Sequence, residues 1–306
     1  MTARSKCHGA TCASMTAPIR SDTGAPRANP MAPSLEQAAA AARPGAAGAA
    51  PSLEQGAAHE SSVLSALLTD SHCHVQASSE QELQTCLHSY RASAVAHFNL
   101  YSTTLANAQR VAAALRALPP EAQARFSLGL GLHPWFLQPA TFERELTGLI
   151  ALYDELKREQ PTLLGPCWGE VGLDHKHCDC LPLLEQQALL REFIVATKER
   201  CSCYSFHCVG AQSELLALLK AQQVTGIVHG FSGKVAAALQ LVARGLKLGL
   251  GPNVLRPEQE HKWRALLSEP QLAQSWCLES DWDGGSYEGT LLARIAQRVD
   301  SLKAAR

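Results

Sequence analysis

Two histidines one residue apart, His72 and His74, are the first residues whose spacing suggests chemistry. They lie behind Asp70 in the segment LTDSHCHVQ, residues 68–76. Because side chains alternate between the faces of a strand, Asp70, His72 and His74 would point to the same side. Imidazoles and carboxylates that share a small space can bind a divalent cation. The alternative is a polar edge strand whose histidines face water, and the segment alone does not decide between the two.

Ligand-type residues also occur at the ends of most other strand-like runs. They are His133 in GLHPW, Glu170 and Asp174 in GEVGLD, His207 in SFH, His229 in VHGFSG, and Glu279 and Asp281 in LESD. Each motif alone is also typical of an ordinary hydrogen-bonded loop. Five histidines with two carboxylates at the same strand ends indicate one shared site. This mixture of nitrogen and oxygen ligands suits Zn, Mn, Fe or Mg and does not select among them.

Apolar runs of β type alternate with helical patterns from about residue 62 onward. The predicted strands are 67–74, 94–100, 126–133, 163–173, 204–207, 226–231, 246–251 and 276–281. The predicted helices lie near 80–90, 103–117, 141–159, 183–200, 211–222, 234–244, 257–272 and 287–303. This alternation predicts an α/β fold with parallel strands, and the number of units predicts a (β/α)8 TIM barrel. A doubly wound open sheet is the alternative. The barrel also explains the polar residues, since its active site lies at the C-terminal ends of the strands.

The first 60 residues differ in kind from the rest. They are rich in Ala, Pro, Ser and Gly, contain no Phe, Tyr or Trp, and repeat PSLEQAAA as PSLEQGAA. Such a segment buries too little apolar surface to offset its ordering entropy, so we predict a disordered tail at 1–60 and a folded domain at 62–306. We expect a cytoplasmic protein without a membrane partner, with organelle import through the tail as the alternative.

Bulk composition restricts the function less than the motifs do. The 306-residue chain is 46% hydrophobic with a net charge of −1, which does not indicate a nucleic-acid or membrane surface. Without the tail, its 27 Lys and Arg fall to 22 and its 28 Asp and Glu fall to 24. The 11 cysteines are expected to be reduced thiols. Four of them form two C-x-C pairs, which do not match the spacing of a zinc ribbon.

Six ordered motifs, DSHCH, GLHPW, GEVGLD, FH, HGFSG and ESD, resemble those of the TatD family of metal-dependent hydrolases, the TatD-related DNases. The resemblance runs from about residue 68 to 290. It implies a TIM barrel with one or two divalent ions, such as Zn, Mn or Mg. His72 and His74 would hold one ion, His207 and His229 the second, and Glu170 both.

The same resemblance assigns the catalytic residues. Asp281 would complete the first ion site and act as the general base, while His133 would face the phosphate of the substrate. Glu170, as the bridging ligand, completes this catalytic set. Asp70 would orient a histidine through its second ring nitrogen, and Glu279 would support Asp281.

The chain departs from the family pattern around the substrate. The segment that begins at His207, HCVGAQ, has no arginine after the histidine. The segment ESDWDGG has no proline after Asp281. Trp135, Phe136 and Trp282 could stack on a base or sugar, or they could pack the loops. From the motifs and the resemblance together we predict a metal-dependent hydrolase, and specifically a deoxyribonuclease that attacks phosphodiester bonds with a metal-bound hydroxide. An amidohydrolase-like enzyme acting on a small amide, lactone or phosphoester is the second hypothesis. A barrel that only binds a partner is the third.

Overall fold

The computed structural model of the protein describes residues 68–177 and 181–304. Eight strands alternate with helices across these ranges, as the sequence predicts. The strands are β1 (Thr69–Cys73), β2 (His97–Tyr101), β3 (Phe126–Gly129), β4 (Trp168–Asp174), β5 (Cys203–Val209), β6 (Thr225–Val228), β7 (Leu246–Leu250) and β8 (Trp276–Leu278). The predicted tail at 1–60 and the predicted domain boundary at 62 lie outside the described residues.

The strands form two parallel sheets, β1–β2–β3 and β4–β5–β6–β7–β8. Backbone hydrogen bonds join the two sheets at both of their edges. Between β3 and β4, the amide of Gly169 donates to the carbonyl of Leu130 at 2.9 Å. Between β8 and β1, the amide of Asp281 donates to the carbonyl of His72 at 3.0 Å. This double connection agrees with the predicted TIM barrel and not with an open sheet.

Helices cover the outside of the strands. They are α1 (Glu80–Ala92), α2 (Leu105–Arg116), α3 (Pro120–Gln123), α4 (Pro139–Glu159), α5 (Leu183–Thr197), α6 (Gln212–Leu219), α7 (Val235–Val242), α8 (Glu260–Ser268) and α9 (Leu291–Ala304). In α4 the buried residues recur every three or four positions, and they are Phe142, Leu146, Leu149, Leu152 and Leu156. This spacing places one apolar stripe against the core. Within the described residues, no helix is long and apolar enough to cross a bilayer.

Prolines account for the two clearest differences between predicted and observed boundaries. The predicted helix 257–272 is reduced to α8, because 3-10 turns begin at Pro257 and Pro270 on either side of it. The predicted strand 163–173 begins only at Trp168. A 3-10 turn ends at Leu163, and Pro166 has no amide hydrogen to give to a strand ladder.

Glycine allows β4 and β5 to approach closely at the level of the candidate site. Gly172 has a φ of +157°, and a Cβ there would lie 1.9 Å from the carbonyl oxygen of His207. No other residue fits this backbone contact. The approach brings Glu170 on β4 beside His207 on β5.

Two cysteines form a disulfide that the sequence did not predict. Cys167 precedes β4, Cys203 begins β5, and their Cα atoms are 4.5 Å apart. The expectation that every cysteine is reduced is therefore wrong for this pair. The two residues are 36 positions apart and meet only because neighbouring parallel strands begin at the same end of the barrel. The C-x-C partners Cys178 and Cys180 lie outside the described residues.

Candidate metal centre

The carboxylate of Glu170 is surrounded by histidines and is 2% exposed. Five imidazoles place a ring nitrogen between 2.5 and 3.6 Å from its oxygens. To Oε2 the distances are 3.0 Å for His74 and 3.6 Å for His72, and to Oε1 they are 2.5 Å for His229, 2.8 Å for His207 and 3.1 Å for His133. Positions spread over more than 150 residues of sequence therefore meet at one point, as the strand-end pattern predicts.

Asp281 follows β8 at the edge of this cluster. Its φ is +49°, a left-handed conformation that aspartate tolerates better than most residues. Its Oδ1 lies 3.4 Å from Nδ1 of His229 and 3.9 Å from Nε2 of both His72 and His74. The Asp281 side chain is 38% exposed, so this carboxylate reaches solvent while that of Glu170 does not.

The seven predicted site residues form three groups of potential ligands. Within each group the ligand atoms lie within 4.8 Å of one another, and the groups are His72–His74–Glu170, His72–His229–Asp281 and His133–Glu170–His207. The grouping differs from the predicted pairing of His207 with His229. His207 turns Nε2 toward Asp174 at 2.9 Å, so its Nδ1 faces Glu170 and His133 instead.

On one side of the cluster, strand neighbours fix the rings of His72 and His74. Nδ1 of His74 donates to the carbonyl of Tyr101 at 2.8 Å, and Nδ1 of His72 lies 2.8 Å from the hydroxyl of Ser205. In the neutral ring of His74, the carbonyl contact leaves Nε2 as the atom with a free lone pair, whereas the Ser205 hydroxyl can donate to or accept from Nδ1 of His72. The two Nε2 atoms are 3.0 Å apart, and both point toward Glu170.

On the other side, the carboxylate of Asp174 gathers several donors. Its Oδ2 accepts from Nε2 of His207 at 2.9 Å, Nε1 of Trp135 at 2.7 Å and Nδ1 of His177 at 3.0 Å. Its Oδ1 accepts from the amides of Lys176 and His177. Burial opposes ionisation of Asp174, but the hydrogen bonds outweigh it and lower its pKa.

Opposing effects set the charges at the site. Burial would raise the pKa of Glu170, but His229 and His133 hold that pKa well below its usual value. Burial also opposes ionisation of Asp281, yet His229 lowers its pKa to about 2. Burial and repulsion from His229 lower the pKa of His72 to about 3. At neutral pH both carboxylates are therefore ionised and His72 is neutral, which are the forms that bind metal ions.

The donor set fits a divalent cation. Among the described residues, both ring nitrogens of His229 are buried without a hydrogen-bond partner, although Nε2 lies 2.5 Å from Glu170. The Nε2 atoms of His72 and His74 point toward the same carboxylate. Nitrogen and oxygen atoms with free electron pairs approach one another in this way when they surround a shared cation. The mixture of histidines and carboxylates suits Zn and other divalent metal ions.

Asp70 does not have the role that the resemblance assigned to it. It contacts no imidazole ring. Its Oδ1 accepts from the amide of Ser280 at 2.9 Å, and its Oδ2 accepts from the hydroxyl of Tyr287 at 3.2 Å. The second ring nitrogens of His72 and His74 instead contact the hydroxyl of Ser205 and the carbonyl of Tyr101. Asp70 therefore links β1 to the segment after β8.

Glu279 supports the turn that follows His229. Its Oε1 accepts from the amide of Gly230, and its side chain occupies the space where Gly249 has no Cβ. Burial and the nearby charge of Asp281 raise the pKa of Glu279 well above its usual value. Glu279 therefore holds the backbone next to His229, and its support of Asp281 stays a prediction.

Sequence reasoning placed Asp174 only among the ligand-type residues, left Trp135 open between stacking and packing, and did not single out Ser205. Ser205 precedes His207 by two positions on β5 and so shares its face, and Asp174 ends β4 in the GEVGLD motif. The contact of Trp135 with Asp174 joins the turn after β3 to the end of β4 and has no sequence signal.

The fold and the site define a parallel barrel with a histidine–carboxylate centre at the C-terminal ends of its strands, which is the architecture of metal-dependent barrel hydrolases. The family model described as TatD related DNase matches residues 69–282. The chain belongs to this family.

Curated relatives match parts of the chain. "Uncharacterized metal-dependent hydrolase YjjV" of Escherichia coli (strain K12) is 33% identical over 155 residues, covering 50% of this chain and 56% of the relative. "Putative deoxyribonuclease TATDN1 homolog" of Encephalitozoon cuniculi (strain GB-M1) is 27% identical over 82 residues, covering 27% of this chain and 29% of the relative. The chain thus aligns with about half, or less, of the length of these relatives.

Solved structures agree over a larger share of the chain. The crystal structure of YjjV, a TatD homologue from Escherichia coli K12, has a TM-score of 0.62 and 25% identity, covering 77% of this chain and 90% of that chain. A hydrolase TatD family protein from Entamoeba histolytica has a TM-score of 0.60 at 15% identity, covering 77% and 96%. At that identity the second likeness bears on the fold alone.

Proposed function

We propose that the protein is a metal-dependent hydrolase that cleaves phosphodiester bonds in DNA. The observation that carries this proposal is the convergence of five histidines on Glu170, with Asp281 at the solvent edge. Membership of the TatD-related DNase family supports hydrolysis. The name of the Encephalitozoon cuniculi relative supports DNA as the substrate.

One or two divalent ions, Zn, Mn or Mg, would be held by six side chains. These are His72, His74, Glu170, His207, His229 and Asp281. When bound, such ions supply positive charge that polarises a phosphate and lowers the pKa of water. Glu170 directs Oε2 toward His72 and His74 and Oε1 toward the other histidines, so it would serve both ions.

His133 would contact the substrate instead of a metal ion. Its Nδ1 accepts a hydrogen bond from the amide of Trp135 at 3.2 Å, so the neutral ring carries its proton on Nε2. A protonated nitrogen cannot ligate a metal, but it can donate to a phosphate oxygen. Nε2 of His133 lies 3.2 Å from Nδ1 of His207 and therefore at the edge of the cluster. This tautomer supports the role that the resemblance implies.

Asp281 would accept the proton of the attacking water. It is the ionised carboxylate of the cluster that reaches solvent, and it lies 3.4 Å from Nδ1 of His229. Glu170 is too deeply buried for the same task.

A small amide, lactone or phosphoester is the second candidate substrate. The segment HCVGAQ carries no arginine after His207, so the bidentate phosphate partner of the family pattern is missing there. Of the 27 Lys and Arg residues of the chain, 22 lie in the predicted domain, and so do 24 of its 28 Asp and Glu residues. The domain therefore lacks the excess of positive charge that is typical of DNA-binding proteins.

The test compares the wild-type protein with Glu170→Ala. Bound metal is measured by elemental analysis, and cleavage of end-labelled single- and double-stranded DNA is measured with added Mg, Mn or Zn. We expect the wild type to bind metal and degrade DNA, and the variant to lose both. If the wild type binds metal but leaves DNA intact, DNA is the wrong substrate, and turnover of small esters and cyclic amides would support the second candidate.

A cytoplasmic location is a further part of the proposal. It rests on the composition of residues 1–60, which lacks a clear amphipathic targeting pattern. Fractionation of cells that express the full chain would test it, and recovery of a shortened chain in an organelle fraction would favour import instead.

A further inference from the structure

Two aromatic side chains next to His133 are exposed. Among the residues the structure describes, four large hydrophobic side chains are exposed, and they are Trp135, Phe136, Leu184 and Val195. Trp135 and Phe136 are adjacent, 42% and 44% exposed, and belong to the loop that carries His133. Exposed aromatic residues beside a catalytic cluster are common substrate contacts, whereas packing residues are buried.

The indole of Trp135 is fixed in place. Its ring centroid lies 4.8 Å from that of His133 and 5.9 Å from that of His207. Its Nε1 donates to the buried Asp174 at 2.7 Å, and its amide donates to His133. A rigid side chain loses little conformational entropy when it binds a ligand. The exposed part of the ring is therefore prepared for contact beside the cluster.

Trp282 shows the contrasting arrangement. It packs against the hydrophobic core, and its ring meets that of Tyr287 at a centroid distance of 5.9 Å. Of the three aromatic residues that the sequence left open between stacking and packing, Trp282 therefore packs. Trp135 and Phe136 remain open to solvent.

The backbone of a cationic residue is held by the carboxylate that also binds Trp135. Lys176 is exposed, and its amide is held by Oδ1 of Asp174 at 2.8 Å, the same carboxylate that binds Trp135. The ring of His177 lies 4.4 Å from that of Trp135. Flat aromatic surfaces beside a cation suit a nucleotide, whose base stacks and whose phosphate is negative.

We propose that Trp135 and Phe136 form a stacking platform for one unpaired nucleobase next to the phosphodiester that is cut. This deepens the proposed function and rests on it. A base within a duplex has both faces covered by its neighbours, so the platform selects single strands or frayed ends. The occupant is a nucleobase and not an apolar protein surface, because the platform is small and continuous with the catalytic loop.

The experiment measures binding in a Glu170→Gln background, where cleavage is expected to be blocked. Labelled single-stranded oligonucleotides carry one abasic residue at successive positions, and their affinity is measured by fluorescence anisotropy with Mn present. We expect base loss at one position to weaken binding about tenfold, the size expected for one stacked base. Added Trp135→Ala should abolish this position dependence, while Trp135→Phe should keep most of it.

The design separates stacking from structural damage. Damage would weaken binding of intact and abasic strands alike, whereas lost stacking removes the difference between them. Val195→Ala is the matched control, because Val195 is exposed near the end of α5, a helix that runs from the mouth to the opposite end of the barrel. Persistence of the position dependence in Trp135→Ala overturns the platform, as does equal binding of all strands by the Glu170→Gln protein.

The platform and the nuclease proposal fail separately. If the wild type cleaves DNA but the abasic position has no effect, the nuclease stands and the platform falls. If position-dependent binding is observed but the wild type cleaves no DNA with Mg, Mn or Zn, the base contact at Trp135 stands, while the nuclease and the assignment of the platform to a cut phosphodiester both fall.

Discussion

The two sides of the histidine cluster are held by different kinds of partner. His72 and His74 are oriented by groups that belong to strands, the hydroxyl of Ser205 and the carbonyl of Tyr101. His207 is oriented by the carboxylate of Asp174, which also binds the side chain of Trp135 in the loop after β3. The first side therefore depends on strand groups alone, whereas the second side depends on a carboxylate at the end of β4 that also binds a mouth loop.

This difference separates chemistry from specificity. Strand backbone cannot change without loss of the barrel, so His72 and His74 keep their orientation when loops diverge. A change in the mouth loops reaches His207 through Asp174. The motif after His207, which departs from the family pattern, lies on this second side. Under the proposed function, substrate preference and the position of a second ion would therefore be linked by the carboxylate of Asp174.

Substitution of Asp174 should have the largest effect on the comparison. Asp174→Asn keeps the size of the side chain but removes the charge that stabilises the N–H of His207. We expect metal affinity to fall about 10- to 100-fold, as is typical when a partner of a metal-binding histidine is lost. Isothermal calorimetry with Mn would measure it. Asp154→Asn is the matched control, since Asp154 pairs with Arg200 at the surface and should change nothing. Equal effects of the two variants would contradict the assigned role.

Lower pH should weaken metal binding through His229 more than through His72. Burial opposes the charge on His229, but Glu170 and Asp281 outweigh it and raise its pKa, whereas the pKa of His72 is lowered to about 3. Because its pKa is raised, His229 keeps its proton to higher pH in the metal-free protein. This proton competes with the metal ion for the ring nitrogen. Affinity should therefore fall about tenfold per pH unit for the proton that is displaced.

The matched variant for this titration is His229→Asn. It has no proton to displace, so the slope of log affinity against pH should decrease by about one between pH 6 and pH 8. An unchanged slope would show that His229 is not a ligand or that it is already neutral.

The sequence predicted the strands and the convergence of the ligands because both follow from local patterns. Short apolar runs gave the eight strands, and the rule that barrel sites lie at strand ends gave Glu170 and its histidines. The boundaries shifted where proline intervened, as at Pro166 and Pro270.

The sequence did not predict contacts that depend on how strands and loops lie against one another. Cys167 meets Cys203 through strand alignment, and Trp135 in the turn after β3 meets Asp174 at the end of β4. The resemblance assigned Asp70 to a histidine, but groups on neighbouring strands, Ser205 and Tyr101, already contact the second ring nitrogens of His72 and His74.

Removal of the Ser205 hydroxyl should have a smaller effect than the change at Asp174. Ser205→Ala deletes one neutral hydrogen bond to His72, worth about 1 kcal/mol, so metal affinity should fall about fivefold. The matched control is Ser127→Ala, whose hydroxyl donates to Asn99 at 2.7 Å outside the cluster. A loss as large as that of Asp174→Asn would mean that both sides of the cluster are equally sensitive to side-chain partners.

The smallest effect on metal binding is expected at Tyr287, although this residue contacts the strand that carries His72. Tyr287→Phe deletes the hydroxyl that donates to Asp70 at 3.2 Å, and Asp70 still accepts from the amide of Ser280. Because Asp70 joins β1 to the segment after β8 and contacts no imidazole, the free energy of unfolding should fall by about 1–2 kcal/mol. Metal affinity should stay within about twofold of the wild type, since the histidine rings keep their partners.

Urea unfolding and Mn calorimetry on the same preparation would measure both quantities. Tyr153→Phe is the matched control, because its hydroxyl donates to the carbonyl of Arg200 at the periphery. If Tyr287→Phe instead lowers metal affinity tenfold without a loss of stability, Asp70 acts on the histidines after all. The backbone would then not be enough to hold the His72 side, and the contrast between the two sides of the cluster would disappear.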